Sequence, residues 1–242
     1  MSVPSRASAS KGVSGVSGMR LRSYSGNVYR FDPGALCLEL LVTGGPGALT
    51  RYEVLHTPAD LVAWAGQSRL TPTPPALRVT ADDVTYARRL RDALCRTVVS
   101  HVCGGLPELG IAPADTTDRD LINEAAAGPP LAPALGADGS RGWADGTATG
   151  AQLLSTVARD AVELLTGPYA QRIRMCAGDR CYLLYVDTSR PGRRRWCSMG
   201  HCGNRHKVRA HRTRRAGVGP VQEEPQEPQG PLEPLEPVEQ KE

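Results

Sequence analysis

R-M-C-A-G-D-R-C-Y-L-L-Y-V-D-T-S-R-P-G-R-R-R-W-C-S-M-G-H-C-G-N-R-H-K-V-R, residues 174–209, carries four of the chain's seven cysteines in two equal knuckles. Cys176 and Cys181 are separated by four residues, Cys197 and Cys202 by four, and fifteen lie between the pairs. Paired cysteines at this kind of spacing read as a structural zinc site. Four thiolates fill a tetrahedral shell, so one Zn2+ bound there folds the module and has no open position for chemistry. Unrelated core thiols would not flank a charged stretch so symmetrically. His201, His206 and His211 are also metal-ligand types, but four cysteines already complete the shell.

Charge is distributed very unevenly around this cage. Residues 170–215 hold thirteen Lys/Arg against two Asp, +11; residues 216–242 hold seven Glu and one Lys, −6; residues 1–169 come to −1. Even after two charges are subtracted for zinc on four thiolates, the cysteine module attracts a polyanion. Duplex DNA is the expected partner, with Arg193, Arg194 and Arg195 meeting phosphates and a helix carrying Arg205, Lys207, Arg209, Arg212, Arg214 and Arg215 lying along a groove. Asn204 either reads adenine or caps that helix. Trp196 is expected to pack on the metal core rather than stack on a base. The alternative is a zinc-dependent interaction module that docks an acidic partner, such as part of the transcription machinery, without touching DNA. RNA is a third reading, against which the shortage of aromatics in the module argues.

Working outward, Y-L-L-Y-V-D-T-S-R-P-G-R-R-R-W reads as two strands around a turn at Ser189 to Gly192. Knuckle, hairpin and helix make a treble-clef-like finger over 170–215. Residues 26–168 read as a mainly helical domain with small β content, so the fold class is mainly α (α+β) with two domains. Tyr29, Phe31, Leu36, Leu38 and Leu41 are expected in its core. T-P-A-D-L-V-A-W-A-G is a short helix capped by Thr57, burying Leu61, Val62 and Trp64. The clearest helix begins at Thr80, stops at Gly104-Gly105 and repeats Val84, Ala87, Leu90, Leu94, Val98 and Val102 at helical spacing, which leaves Arg88, Arg89 and Arg91 on its solvated side. A further helix ends at Gly128, a short irregular hairpin contains Trp143, and a last helix turns Leu153, Leu154, Val157, Ala161, Leu164 and Leu165 inward. Residues 1–25 read as a disordered Ser/Gly-rich arm. The Glu-Pro tail, 216–242, reads as disordered and extended, with charge suited to competing with DNA for the basic helix.

The first twenty residues contain no apolar core like that of a secretory signal, and no stretch is long enough to span a membrane, which points to a cytoplasmic protein, associated with the nucleoid if it binds DNA. An odd cysteine total argues against a secreted disulfide framework, so Cys37, Cys95 and Cys103 are read as reduced thiols. His56 and His101 stand alone, and neither a nucleophile elbow nor a phosphate-cradling loop occurs, so no enzyme is expected.

The stretch from Arg174 to Arg209 resembles the CGNR zinc finger, named for residues 202–205. Upstream, F-D-P-G-A-L-C-L-E-L-L-V-T, T-P-A-D-L-V-A-W, the R-L-R-D-A-L helix and D-L-I-N resemble the ABATE domain that usually precedes this finger; together the two resemblances cover roughly 26–215. They imply a bacterial, stress-linked transcription regulator whose finger binds DNA and whose N-terminal domain senses a small ligand. The chain departs from the pattern twice. E-L-L-V-T stands where an Asp-containing run ending in Asn-Thr is expected, and Asp179-Arg180 stand where the family often has Pro beside the second Cys. Neither change removes a metal ligand.

Overall fold

The computed structural model of the chain describes residues 18–23, 26–74, 76–144 and 146–216. The Glu-Pro tail and the first seventeen residues lie outside the described residues.

Helices dominate because their start signals are strong. Thr57 opens α2 (Pro58–Gln67), Thr80 opens α3 (Ala81–Cys103), Asp115 opens α4 (Thr116–Ala127) and Thr149 opens α5 (Gly150–Thr166). Each forms a reciprocal capping box with the third helical residue, an arrangement that satisfies two orphan amides and contributes about 1 kcal/mol. At its other end α3 stops where Gly104 takes φ +78°, a left-handed C-cap open to glycine at little cost. Its apolar stripe, Val84, Ala87, Leu90, Leu94 and Val98, is buried against α4 and α5, which contribute Ile122, Leu153, Leu154, Val157 and Ala161. The short helix α1 (Leu36–Leu40) lies on α5, where the Asp160 carboxylate accepts the Cys37 amide at 2.8 Å.

The β content consists of two-stranded pieces. Strands β1 (Met19–Arg22) and β2 (Val28–Phe31) pair antiparallel, as do β4 (Pro133–Leu135) and β5 (Arg141–Trp143), the irregular hairpin expected around Trp143. Strands β3 (Leu77–Arg78) and β6 (Ala148–Thr149) run parallel and deliver α3 and α5 side by side. The fit at that point is close: a Cβ at Gly150 would sit 2.5 Å from Asp83 Cγ, inside the α3 capping box.

Three expectations need correction. The arm expected to run to residue 25 already contains β1, whose Met19 and Leu21 are buried. M-R-L-R alternates at period two, and Ser/Gly-rich composition before it masks the signal. Val62, expected inside α2, is exposed and Ala65 is buried in its place. Arg91, assigned to the solvated side of α3, is 2 % exposed. It lies four residues after Ala87 and three before Leu94, on the apolar stripe, and reaches through it to Glu53 with two 2.8 Å bonds and to Asp92 at 2.9 Å. The two units on either side of residue 169 pack together. One hydrophobic core runs from Met19 through the helices to Ile173, Tyr185, Val186 and the finger cysteines.

A second buried ion pair joins this core. Glu39 of α1, 1 % exposed, accepts the Arg69 amide at 2.8 Å and its Nε at 3.1 Å, and Arg69 reaches on to Asp32 at 2.9 Å. Burial pushes the Glu39 carboxyl up to about 7, against the pull of Arg69.

Arg91→Met should leave Glu53 with the longer Arg88 contact at 3.6 Å in place of its two short bonds and lower stability by about 3 kcal/mol in chemical denaturation, whereas the same change at exposed Arg89 should cost little. For Glu39 the folded state keeps a proton that the unfolded chain releases between its ordinary pKa and about 7. Its contribution to stability therefore falls as pH rises through that window. Denaturation midpoints at pH 5.5 and 7.5 should show a fall for the parent chain that is smaller in Glu39→Gln.

Candidate metal centre and nucleic-acid interface

The finger begins with β7 (Ile173–Met175) and β8 (Leu184–Val186), paired antiparallel with Ile173 opposite Val186. The first knuckle is the connection between them: Cys176 leaves β7, its amide donating to Leu183 O at 2.9 Å, and Cys181 returns toward β8. The hairpin expected over 182–196 is thus displaced upstream. Its turn does form, with Gly192 at φ +62° donating to Ser189 O at 3.0 Å. The second arm is no strand: one edge of β8 is paired with β7, the other gives its Val186 amide to Pro33 O at 2.8 Å, and Asp187 takes polar groups of the return chain, accepting Ser189 N at 3.0 Å and Arg194 N at 2.8 Å. Cys197 follows, and Cys202 sits in a π-helical turn (Met199–Gly203) that opens α6 (Asn204–Ala216). First knuckle in a hairpin and last ligand at a helix start are the treble-clef arrangement.

All four sulfurs lie within 4.8 Å of one another, and Cys181 Sγ to Cys197 Sγ is 3.8 Å. A tetrahedron of zinc–sulfur bonds near 2.3 Å has edges of about 3.8 Å, so the cage has the size of one zinc ion. Backbone amides already point at it: Gly178 N is 3.3 Å and Cys197 N is 3.1 Å from Cys176 Sγ. Cys176 is held far below the ordinary thiol range, chiefly by hydrogen bonds from the Cys181, Cys197 and Cys202 thiols. Cys181 and Cys197 are pushed up by the Cys176 sulfur that takes their protons. Such a set ionises completely only around a cation. The four cysteines are therefore the ligands of one structural zinc. Among the described residues they form the cluster able to hold a metal.

Two backbone features in the knuckles follow from crowding. A Cβ at Gly178 would stand 2.7 Å from Cys202 Sγ, and one at Gly203 would stand 2.9 Å from Met199 Sδ. Arg180 adopts φ +51°, a left-handed position that costs a non-glycine residue roughly 1 kcal/mol. Around the cage, His201 stacks on Tyr29 of β2 at 4.1 Å with rings 6° apart, and His206 lies 4.8 Å from Trp196. Both histidines are thus occupied away from the metal, and Trp196 packs beside Cys202 and His206 rather than standing free. Burial lowers the ionisation of His201, aided by Arg205.

The basic residues divide into three groups. Arg193 and Arg195 are exposed, Arg195 lying 5.2 Å over Trp196. Arg194 differs: it turns inward over Tyr185 at 4.1 Å, donates from Nε to Trp196 O at 3.0 Å and from both terminal nitrogens to Asp32 O at 3.2 Å, and also reaches Cys197 O. Its guanidinium is consumed in joining the finger to the N-terminal domain, so it is not presented with its neighbours. On α6, Asn204, Lys207, Val208, His211 and Arg212 are exposed along one face. Arg205 and Arg209 are half-buried at a cleft of about 210 Å³ against Trp196 and Cys202, where Arg209 meets Asp179 at 3.2 Å. Arg214 and Arg215 lie in the last turn of α6. Sequence reading missed Asp32 and Tyr29 as anchors of the finger; Asp32 stands in the F-D-P-G stretch but nothing there points to the finger, and only the fold brings the two residues to it.

Gly178→Ala should expel or weaken the metal, read as zinc per chain below one by elemental analysis and as loss of thiolate-to-cobalt charge-transfer bands in the Co2+-substituted protein. Removing zinc with a chelator should melt the finger while most helical circular dichroism, carried by α2 to α5, remains.

A family model described as "ABATE: Putative stress-induced transcription regulator" matches residues 34–168, more than half of the chain, and the CGNR zinc finger model matches residues 172–215. No curated protein matches the chain. The cage geometry at the foot of the helical domain and these two adjoining matches agree, and the chain belongs to the ABATE family, with a CGNR zinc finger at its C-terminal side.

Proposed function

We propose that the protein regulates transcription by binding duplex DNA through the zinc finger, with α6 in a groove and Arg193 and Arg195 on flanking phosphates. The single observation that carries this reading is how the finger uses its charge. Its two carboxylates are both spent internally, Asp179 on Arg209 and Arg180, Asp187 on the 189–194 turn. The outward face, Arg193, Arg195, Lys207 and Arg212 with His211, is left with one sign, which suits a phosphate backbone. Asn204 at the head of α6 holds Gly200 O only at 3.5 Å and is exposed, as a residue reading an adenine edge would be. Arg205, Arg209, Arg214 and Arg215 extend the positive field, and Arg194 acts by holding the finger in place. The zinc has a structural role, and the protein is not an enzyme in this reading. The N-terminal domain would serve as the sensor of a small ligand, a role that rests on family membership alone. Among the described residues no helix is long and apolar enough to cross a membrane, consistent with a cytoplasmic, nucleoid-associated protein.

The exposed apolar side chains Met199, 55 %, and Val208, 49 %, favour a second reading in which this face docks an acidic segment of the transcription machinery.

Fluorescence anisotropy of zinc-loaded protein on mixed-sequence duplex DNA at several salt concentrations separates the two. Five or six phosphate contacts should give a log–log salt slope near −5, and Cys197→Ser should abolish binding together with zinc. A flat titration at low salt would sink the DNA reading and leave the protein-docking one.

A further inference from the structure

The β1–β2 hairpin lies outside both family-matched stretches and places an unusual set of side chains on its surface. Met19, Leu21 and Phe31 point into the core, so the alternation turns Arg20, Arg22, Val28 and Arg30 outward. Arg20 stands directly opposite Arg30 in the register, and Arg22 opposite Val28. Like charges across a strand pair destabilise it by a few tenths of a kcal/mol to about 1 kcal/mol, and a ribbon serving only solubility would intersperse carboxylates. Among the described residues neither Arg20 nor Arg22 is ion-paired, and the side-chain bond that Arg22 makes to Gly26 O is long, 3.4 Å.

This ribbon is fixed to the finger. Tyr29, on its buried side, stacks face to face on His201 in the turn that opens α6. Asp32, the next residue after β2, has its carbonyl held by Arg194. Ribbon and finger therefore present their charges as parts of one body.

We propose that the β1–β2 ribbon is a second DNA contact, laying Arg20, Arg22 and Arg30 on phosphates of the duplex engaged by the finger. It rests on the DNA-binding reading above and extends the interface to an element of the N-terminal domain. A two-stranded ribbon with bidentate cations on one face is of a size to follow a groove or its rim, and arginine forks match phosphate geometry better than lysine. The contact adds affinity and orientation rather than sequence information.

The test uses the full, zinc-loaded chain and mixed-sequence duplex DNA. The triple variant Arg20→Gln, Arg22→Gln, Arg30→Gln should keep its thermal midpoint and zinc content but flatten the salt slope by about 2–3. A charge-matched control, Arg78→Gln, Arg89→Gln, Arg119→Gln, all exposed in the N-terminal domain, should leave the slope unchanged, and the triple lysine variant of the ribbon should restore most of it. If the parent binds and the ribbon variant matches it in slope and affinity, the ribbon contact is disproved while the finger reading stands. If the parent does not bind, both fail. The same comparison in a chain ending at residue 216 identifies the occupant. A difference that persists there supports DNA. A difference that vanishes means that the ribbon holds the acidic tail away from the finger, which overturns the proposal.

Discussion

Four sulfurs confined within 4.8 Å govern the C-terminal third of this protein. Ionised thiolates at such separations repel by on the order of 4 kcal/mol per pair at an effective dielectric of 20, so they do not share the space without a divalent cation. Zinc turns that repulsion into attraction and contributes about 10–16 kcal/mol in small structural fingers, more than the few buried side chains of this module supply. Everything beyond the cage depends on it: the β7–β8 pair is closed by the first knuckle, and α6 starts at the last ligand. The tolerance is narrow at Gly178, where a methyl group would meet the Cys202 sulfur.

The finger does not hang from the helical domain on a free linker. Val186 N donates to Pro33 O at 2.8 Å, and His101 of α3 meets Ala170 O at 2.8 Å. Arg194 fills its fork with the carbonyls of Asp32, Trp196 and Cys197. A cation so fully engaged is a structural rivet, and a polar chain continues from it: the Asp32 carboxylate holds Arg69, and Arg69 holds buried Glu39. Glu39 belongs to the E-L-L-V-T run that departs from the family pattern. The chain thus connects the first helix of the N-terminal domain with the second knuckle through groups that all have partners, as buried polar groups must.

Charge is handled differently inside and outside. In the helical domain the buried cation Arg91 is matched by Glu53 and Asp92, and Arg96 by Asp118. In the finger Asp179 is spent on Arg180 and Arg209 and Asp187 on its own turn, and Arg193, Arg195, Lys207 and Arg212 are left to face outward. The ribbon repeats the pattern with three arginines on one face. Such a surface concentrates one sign at the cost of its own repulsion, and its field attracts anions.

The chain's sequence by itself determined the metal ligands, the helix starts and the charge asymmetry, because each is encoded locally: cysteine spacing, a hydroxyl or carboxylate three residues before its capping partner, and a count of cations. Thr57 and Thr80 cap where the sequence places them, and Gly104 stops α3 as expected. Tertiary structure alone decided which strand β8 pairs with: the sequence pointed to the return chain ending at Trp196, but β8 pairs with β7, and Asp187 accepts the Arg194 amide of that return chain. It also decided that Arg91 is buried and that Arg194 faces inward, because an arginine's fate depends on whether carboxylates and carbonyls from distant segments, Glu53 and Asp32 here, arrive at its fork. The strand at Met19–Arg22 was hidden for the same reason: four alternating residues signal little until the core that receives Met19 and Leu21 is in place.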